Sequence, residues 1–367
     1  MSKLDDVAKL AGVSRVTVAR VVNGGAPVRE ATRQTVLEAI RELNYRPNLL
    51  AKGLATNRSH SIGLVMANVE NPVFAEFITG ATLCARQHNY DIIMSVANDS
   101  ASMLASINMS INKMVDALLV LPPDFHANTD LTREKHRLRA DDAAVFYAEL
   151  RRLAGDIWGR NIPLEVYGVD VEAAGISRVM PDYCSGAYLA TEHILKLGHF
   201  RVGYLGHILR ESLWLERFQG YCQAMEVYGI PRNPAWELVS ADSVVGAHQA
   251  VSTFLQREKT LPTALVCAND EMGVGAVQAI QAAGLRVPED ISVVGHDGSF
   301  FSTWLVPRLT TVSIQAAEAG RLSVEHLIRR IDGQTVEETT VLPPILLPGG
   351  TTATYVEEEQ RTPVLLF

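Results

Sequence analysis

The sequence predicts a small all-α head built around a helix-turn-helix, followed by an α/β core of two doubly wound parallel-sheet lobes. Three observations predict this fold class. The first 58 residues carry ten Lys or Arg against five acidic residues, so this segment is +5 and the rest of the chain sums to −13. The apolar residues of the same segment have helical spacing. From Ser61 onward, short β-rich apolar runs alternate with amphipathic helical stretches.

The helix-turn-helix pattern comes first along the chain. Asp5–Ala11 fits one helix, and Gly12 with Val13 supplies a tight turn. Ser14 is a good N-cap for a second helix that runs to about Val22. The residues that can pack inward are Val7, Ala8, Ala11, Val13, Val18, Val21 and Val22. The outward positions of the second helix are Arg15, Val16, Thr17, Ala19 and Arg20.

A third helix completes the predicted head. Its cap lies near Arg29–Thr32, and Pro47 closes it off. Its apolar stripe consists of Val36, Leu37, Ile40 and Leu43. A purely structural helical bundle with a solvated charged face is the alternative, but the positive charge, the turn and the Ser cap together favour docking on nucleic acid.

Composition bounds the remaining function classes. The 367 residues are 47% hydrophobic and 20% charged, as in an ordinary soluble protein with room for a head and two lobes. No stretch reaches the roughly 18 apolar residues needed to span a bilayer, and the N-terminus is charged rather than signal-like. We therefore expect a cytoplasmic protein that has no membrane partner.

The cysteines are not expected to carry chemistry. Cys84, Cys184, Cys222 and Cys267 are far apart, and none has a second Cys or a His at the spacing of metal ligands. We expect reduced thiols, with no metal and no cofactor. A glycine run near Gly273 lacks the lysine of a nucleotide P-loop, and no catalytic triad or pair of catalytic carboxylates is evident, so the sequence does not predict an enzyme.

The core is predicted to contain two sets of parallel strands. The first set is Ile62–Met66, Asp91–Val96, Ala117–Leu121 and Leu164–Tyr167. The second set is Arg201–Leu205, Glu237–Ser240, Ala264–Ala268 and Ile291–Val294. The intervening helices are predicted at Phe74–Asn89, Ser102–Lys113, Ala143–Trp158, Gly186–Leu197, Leu215–Tyr228, Val245–Gln256, Met272–Ala283 and Gln315–Ile331.

Ligands of such sheets bind beyond the carboxyl ends of the strands, so two facing lobes define one cleft. The polar residues that follow strands are Asn68, Asn71, Asp99, Asn269, Asp270, His296 and Asp297. Residues 123–146 are charged and lack a strand signal, which indicates an insertion on the surface of the first lobe.

Several stretches together resemble the lactose-repressor (LacI/GalR) family of bacterial transcription regulators. The resemblance runs through DDVAKLAGVSRVTVARVVNGGAPVREATRQTVLEAIRELNYRPNLLAKGLATNRS, IGLVMANVENPVFAE, HILKLGHFRVGYLG, ALVCANDEMGVGAVQAIQAAGLRVPEDISVVGHD and PRLTTV, and so covers nearly the whole chain. It implies a homodimer that binds a pseudo-palindromic operator in double-stranded DNA. It also implies a core similar to periplasmic sugar-binding proteins, with a small-molecule effector in the cleft.

By that match, three residues of the second helix face base edges: Arg15, Val16 and Arg20. Arginine can donate two hydrogen bonds to guanine, and valine can contact a thymine methyl group. The matches to the family's remaining DNA-binding positions are Leu4, Ser14, Thr17, Asn23, Thr32, Tyr45, Asn48, Leu54 and Ala55. Leu54 matches the leucine that wedges into the minor groove at the operator centre, and packing on the first lobe is its alternative role.

The resemblance also predicts the domain limits. The head takes 1–47, a hinge helix and linker 48–60, the effector-binding core 61–356 and a tail 357–367. Within the core, the first lobe takes about 61–181 and 313–343, and the second about 182–312 and 344–356. We expect the dimer interface along the first-lobe helices, and the tail is too short for a heptad segment that would join two dimers.

The effector-binding residues expected from the resemblance are Asn71, Phe74, Asp182, Arg217, Asn269, Asp297 and Trp304. Phe74 can equally be a core residue and Asp182 a linker residue. Asp297 can alternatively be a turn residue. For the helix predicted at Met272–Ala283, the cap is assigned to Asp270 rather than to Asn269. Some relatives place a ring-stacking aromatic residue where Ser240–Val244 offers only small side chains, which leaves a free sugar, a phosphate ester and a sugar acid all open.

These residues favour a repressor of a carbohydrate-utilisation operon that a small sugar-like inducer releases from DNA. An arginine, an amide and a carboxylate suit adjacent hydroxyl groups better than a flat purine. A regulator with a purine or another metabolite as corepressor is the alternative. A cytosolic sugar-binding receptor without DNA function is a further alternative, against which the basic head argues.

Overall fold

A computed structural model describes residues 4–23, 27–45, 58–67, 69–97, 99–122, 140–153, 161–169, 176–207 and 213–356, with backbone alone at 23, 140–144 and 151. The chain forms two compact units, Met1–His60 and Ser61–Phe367. In the described part of the chain, no helix is long and apolar enough to cross a membrane.

The described part of the first unit forms three helices: α1 (Leu4–Leu10), α2 (Arg15–Asn23) and α3 (Glu30–Glu42). Val7, Val18 and Val36 are fully buried where the three helices meet, as their spacing predicts. Gly12 has φ +63°, a conformation that glycine adopts without strain, in the turn between α1 and α2. The Val36-centred stripe of α3 is therefore confirmed, and the predicted close of the helix at Pro47 lies outside the described residues.

The first lobe of the second unit is a six-stranded parallel sheet in the order β11-β5-β4-β3-β1-β2. Its strands are β1 (Ser61–Met66), β2 (Asp91–Val96), β3 (Ala117–Leu121), β4 (Leu164–Tyr167), β5 (Ile176–Pro181) and β11 (Thr339–Leu342). Its helices are α4 (Pro72–Gln87), α5 (Ser100–Asn112), α6 (Ala140–Leu153) and α11 (Ala316–Ile331). Helices α4 and α11 cross closely at Gly80. A Cβ at this position would come within 1.8 Å of the Ala317 carbonyl oxygen, so only glycine fits there.

The second lobe is a four-stranded parallel sheet in the order β7-β6-β8-β9. Its strands are β6 (Val202–His207), β7 (Glu237–Ser240), β8 (Ala264–Cys267) and β9 (Ser292–Val294). Its helices are α7 (Tyr183–Lys196), α8 (Leu213–Val227), α9 (Val244–Arg257) and α10 (Asp270–Ala282). Short 3₁₀ turns occupy Pro234–Trp236 and Phe300–Thr303. The fold class predicted from the sequence is confirmed.

Four short strands escaped the sequence prediction: β5, β11, and the antiparallel pair β10 (Thr311–Ser313) and β12 (Ile345–Leu347). Strand β5 reads ISRVMP, and its polar and proline residues mask the apolar signal. The other three have only three or four residues each. Helix α6 begins at Ala140, three residues before the predicted start at Ala143 and within the predicted insertion at 123–146; residues 123–139 lie outside the described residues.

The described residues of the two lobes meet in an apolar cluster that has a polar contact beside it. Val73 and Phe74 at the start of α4 pack with Tyr183, Ile314 and Ala316. Across the same boundary, the backbone N–H of Phe300 donates to Glu76 Oε1 at 2.9 Å. These contacts bring the start of α4 against the segment that follows β9, so the cleft lies beside them.

Candidate functional site

The exposed face of α2 is the first candidate site. Arg15 and Arg20 are exposed, and Val16 is 60% exposed although it is apolar. Arg15 lies 3.7 Å from Asp5 in a solvent-accessible ion pair, which holds the guanidinium only weakly. Two cations flanking an apolar side chain on one helix face can therefore meet a DNA groove without first breaking buried contacts.

The residues around this face have local structural roles as well. Ser14 Oγ accepts from the Thr17 N–H at 3.2 Å, which confirms Ser14 as the cap of α2. Leu4 and Tyr45 pack at the edge of the head core, and Thr32 is half-buried in α3. The side chain of Asn23 is not described, and Asn48, Leu54 and Ala55 lie outside the described residues.

The second candidate site is the carboxyl edge of the second-lobe sheet. One polar residue lies at or just after the end of each strand: His207 ends β6, Asp242 follows β7, Asn269 follows β8 and Asp297 follows β9. Parallel strands bring these ends to one side of the sheet. Helix α8 adds Trp214 and Arg217 to the same group.

Arg217 and Asp297 form a buried ion pair at this edge. Arg217 Nη2 lies 2.8 Å from Asp297 Oδ1, and the two side chains are 5% and 9% exposed. Arg217 Nη1 also donates to the Ala268 carbonyl oxygen. The rings of Tyr183 and Trp214 lie 4.7 and 5.2 Å from the guanidinium carbon. Removing either charge would leave the other buried without its partner.

Asp297 is held in an uncommon backbone conformation. Its φ of +114° lies in the region that favours glycine, which costs of order 1–3 kcal/mol. The backbone N–H of Asp297 donates to Val312 O at 2.8 Å, and its carbonyl accepts from the Ile314 N–H at 3.1 Å. Because strand β10 clamps both sides of this residue, the carboxylate is fixed toward Arg217.

The neighbouring His296 is buried in its neutral form. Burial lowers the pKa of His296, and the nearby Arg217 charge lowers it further. His296 Nδ1 lies 3.3 Å from Asp297 Oδ1, so a neutral imidazole with a proton on Nδ1 can donate to the carboxylate. On its other side, a Cβ at Gly186 would approach His296 Nε2 to 2.3 Å. Glycine at 186 is therefore needed for this packing.

Asn269 and not Asp270 caps α10, so the sequence assignment of the cap to Asp270 was wrong. Asn269 Oδ1 accepts from the Met272 N–H at 2.8 Å, and its Nδ2 donates to Asp242 Oδ1 at 2.6 Å. Asn269 thus has protein partners on both ends of its amide. The expectation that Ser240–Val244 offers only small side chains to the cleft also needs correction, since Asp242 contributes a carboxylate.

Asp270 has a structural role instead. Its carboxylate accepts from the Ser299 N–H at 2.7 Å and the Ser299 hydroxyl at 3.0 Å, and also from the Thr311 hydroxyl. Burial raises the pKa of Asp270 to about 8, with the Asp297 charge adding to the effect. These bonds tie the start of α10 to the segment that follows β9 and to the first residue of β10.

The remaining effector candidates lie around the cleft in different roles. Asn71 Oδ1 caps α4 by accepting from the Val73 N–H at 2.9 Å, and Asp182 Oδ1 caps α7 by accepting from the Ser185 N–H at 2.9 Å. Phe74 is half-buried and packs against both the first-lobe core and the cluster between the lobes. Trp304 is 68% exposed and stacks edge-on with Phe300 and Phe301.

Tyr167 brings the first lobe to the same region. It ends β4 and is 4% exposed, and its hydroxyl has no hydrogen-bond partner within the part of the chain that the structure describes. Burial raises the pKa of Tyr167, and the nearby charges that affect it include Asp297 and Arg217. In the described ranges, no group of three His, Cys, Asp or Glu side chains could hold a metal ion. The arrangement can grip polar groups of a small molecule, and it contains no base poised against a nucleophile.

Two parts of the chain match models of known protein families. Residues 3–48 match the model for bacterial regulatory proteins of the lacI family, and residues 191–352 match that for a periplasmic binding protein-like domain. The HTH-type transcriptional repressor PurR of Haemophilus influenzae (strain PittEE) is 33% identical over 332 residues, which cover 90% of this chain and 91% of that protein. The chain belongs to the lacI family.

Two further relatives extend the comparison of this lacI-family regulator. The ribose operon repressor of Haemophilus influenzae (strain ATCC 51907) is 30% identical over 90% of this chain and 92% of that protein. The crystal structure of the Lac repressor dimer bound to operator and the anti-inducer ONPF superimposes with a TM-score of 0.79. It is 29% identical and covers 96% of this chain and 99% of that chain. This chain is a DNA-binding transcriptional repressor by family, and not an enzyme.

Several residues of the cleft escaped the sequence prediction, among them Glu76, Tyr167, His207, Trp214 and Asp242. Tyr167 and Asp242 follow the rule that polar residues at strand ends are candidates, so that signal could have found them. Glu76 and Trp214 lie on helices, and their placement depends on how the helices pack on the sheets. The spacing of residues in the sequence does not predict this packing.

Proposed function

We propose that this regulator is a homodimeric repressor whose two heads bind the halves of a pseudo-palindromic operator and whose interlobe cleft binds a small effector. The observation that carries the proposal is the exposed α2 face of a lacI-family head, with Arg15, Val16 and Arg20 free of the core. As a DNA-binding repressor it acts in the cytoplasm.

On the DNA side, α2 supplies base contacts and its neighbours supply phosphate contacts. Arg15 and Arg20 can each give bidentate hydrogen bonds to guanine, worth about 1–3 kcal/mol of discrimination per good pair. Ser14, Thr17, Thr32 and Tyr45 set the register on the backbone, as do the family-matched Asn23 and Asn48. Leu54 and Ala55 act at the operator centre in the minor groove.

The dimer forms through the first lobe. Four large apolar side chains on α4, β2 and α5 are exposed: Leu83, Met94, Val96 and Met109. Strand β2 is also the edge of the first-lobe sheet, so these residues flank an unpaired strand edge. We expect a dimer in light scattering, and Leu83→Glu together with Met109→Glu should shift it to monomer.

The cleft favours a small polyhydroxylated inducer. Asn71, Asp182, Arg217, Asn269 and Asp297 offer carboxylate, amide and guanidinium groups, which suit adjacent hydroxyls. Phe74 and Trp304 supply apolar ring surface. The relatives named PurR and ribose operon repressor support the purine-corepressed alternative and the sugar ligand respectively.

Operator binding by the full-length protein tests the proposal. A symmetric duplex selected from a random library should bind more tightly than random competitor DNA, with affinity that falls steeply as salt rises. A thermal-shift screen against sugars, sugar phosphates, sugar acids, nucleosides and purine bases then identifies the effector, because a bound ligand stabilises by mass action. Absence of any preference for a symmetric duplex, with or without these ligands, would overturn the proposed function.

Purines that raise the melting temperature and tighten operator binding would replace the sugar inducer with a corepressor. Sugars that raise the melting temperature and weaken operator binding support the inducer.

A further inference from the structure

The cleft wall of the second lobe carries more accessible negative charge than a neutral sugar needs. Asp242 is accessible to solvent and holds the Asn269 amide through its Oδ1 at 2.6 Å. Glu271, the second residue of α10, is partly exposed and is near enough to feel the Asp242 charge. The two carboxylates line the same edge of the sheet.

Arg217 does not neutralise this pair of carboxylates. Its guanidinium is 5% exposed and already committed to Asp297 and to the Ala268 carbonyl oxygen. Asp242 also feels the charges of Arg217 and His207, at a longer range than a hydrogen bond partner would act. A cation from outside the protein would therefore meet two carboxylates that lack a committed basic partner among the described residues.

The titration of these carboxylates agrees with that geometry. Burial raises the pKa of Glu271 to about 7, and the Asp242 and Asp297 charges add to the rise. Although part of Asp242 faces solvent, the protein around its carboxylate likewise raises its pKa, while the hydrogen bond from Asn269 opposes the rise. Surrounding protein disfavours both negative charges, and a bound cation would stabilise them.

Two buried donors in the same region point independently to a ligand. The indole N–H of Trp214 has no hydrogen-bond partner among the described residues, although Trp214 is only 7% exposed. Trp214 stacks on His207 with ring centroids 5.0 Å apart, and it also lies against Arg217. The Tyr167 hydroxyl belongs to the first lobe and likewise lacks a partner in the described ranges. Unsatisfied buried donors are costly, so a ligand oxygen would stabilise each of them.

We propose that the effector is a hydroxylated amine, of which an amino sugar is the simplest form, with its ammonium group between Asp242 and Glu271 and its oxygens on Trp214 and Tyr167. This inference rests on the proposed function, because it assumes that the cleft is the effector site. A divalent metal ion is disfavoured, because the described carboxylates and histidines form no group of three that could hold one. Anionic sugar acids and phosphate esters would meet repulsion from the same carboxylates.

Calorimetric titration of the full-length protein at pH 7 tests the proposal with matched ligand pairs. The amines are D-glucosamine, D-galactosamine and 1-amino-1-deoxy-D-glucitol. Their neutral partners are D-glucose, D-galactose, D-glucitol and the two N-acetylhexosamines. We expect at least one amine to bind at least tenfold more tightly than its neutral partners.

Single substitutions test whether the Asp242 and Glu271 carboxylates bind the ammonium group. Asp242→Asn keeps an oxygen to accept from Asn269, and Glu271→Gln keeps the side-chain shape, so both should fold, as circular dichroism will show. Each should weaken binding of the amine at least tenfold. Glu226→Gln removes one charge from an exposed position of α8 in the same lobe and should leave the affinity unchanged.

Three results would overturn the inference: no amine binds, neutral partners bind equally well, or the amine binds Asp242→Asn as tightly as the unmodified protein. Operator binding measured on the same samples separates this failure from failure of the proposed function. A protein that prefers the symmetric duplex but responds to neutral ligands remains a repressor, with a different effector.

Discussion

The head and the cleft use their functional side chains in opposite ways. On α2, Arg15, Val16 and Arg20 project into solvent and take no part in the head core. In the cleft, Arg217, Asn269 and Asp297 are buried and bound to the protein itself. The candidate base-contacting residues of α2 are therefore dispensable for folding, whereas the candidate effector residues of the cleft also hold the second lobe together. Mutations in the two regions should separate function from stability differently.

The largest expected effect comes from breaking the buried ion pair. Asp297→Ala leaves the Arg217 charge buried without its partner, so we expect the free energy of unfolding to fall by about 3–5 kcal/mol. Chemical denaturation monitored by fluorescence measures it. Asp297→Asn keeps an acceptor for Arg217 and should cost less. An unchanged denaturation midpoint for Asp297→Ala would erase the contrast between head and cleft.

The second prediction concerns Asp270, whose pKa is raised from 3.8 to about 8 in the folded protein. The folded state then binds a proton that the unfolded state has released, so stability is greatest below the unfolded pKa. It falls as pH rises between about 4 and 8, by at most about 1.4 kcal/mol per pH unit. Asp270→Asn is neutral throughout this pH range, like the protonated acid, and its side-chain oxygen can still accept from Ser299.

Denaturation midpoints of the two proteins across this pH range measure the effect. Asp270→Asn should flatten the dependence relative to the unmodified protein. Parallel profiles for the two would show that Asp270 does not carry the proton.

The third prediction addresses the head. Arg20→Ala should weaken binding to the selected operator by about 1–3 kcal/mol and relax the base preference at one position of each half-site, without changing stability. Arg33→Ala removes the same charge from an exposed position of α3 and serves as the matched control. Fluorescence anisotropy at fixed salt measures both. Equal losses in the two variants would reduce the role of Arg20 to general charge.

The smallest effect is expected at the cap of α2. Ser14→Ala removes the acceptor for the Thr17 N–H and should destabilise the head by about 1 kcal/mol. Ser14→Gly should cost only a few tenths of that amount, since glycine is tolerated at this position. Hydrogen exchange of the α2 amides reports the change. An alanine variant as well protected as the unmodified protein would refute the capping role.

The sequence sufficed where local rules decide the structure. Ser14 and the exposed positions of α2 follow from helical periodicity, and Asn269 and Asp297 follow from their place after apolar strands. Periodicity could not decide between Asn269 and Asp270 as the cap of α10. That choice depends on Ser299 and Thr311, which lie 29 and 41 residues further along the chain and occupy the Asp270 carboxylate.

The cleft as a composite could not be predicted for the same physical reason. Asp242 follows β7 and Asn269 follows β8, and the two residues meet because both strands end at the same edge of one sheet. No short segment encodes that strand order, in which β6 lies between β7 and β8. Glu76 and Tyr167 reach the site only because the first lobe closes against the segment after β9. Long-range packing, and not propensity, places these groups.

The backbone clamp on Asp297 has a mechanical consequence. Strand β10, which holds both sides of this residue, leads within a few positions into α11 of the opposite lobe. A ligand that displaces the Asp297 carboxylate would therefore also displace the segment that connects the two lobes. Such a lever is made of peptide groups, so scanning the cleft by side-chain truncation would leave it intact and undetected.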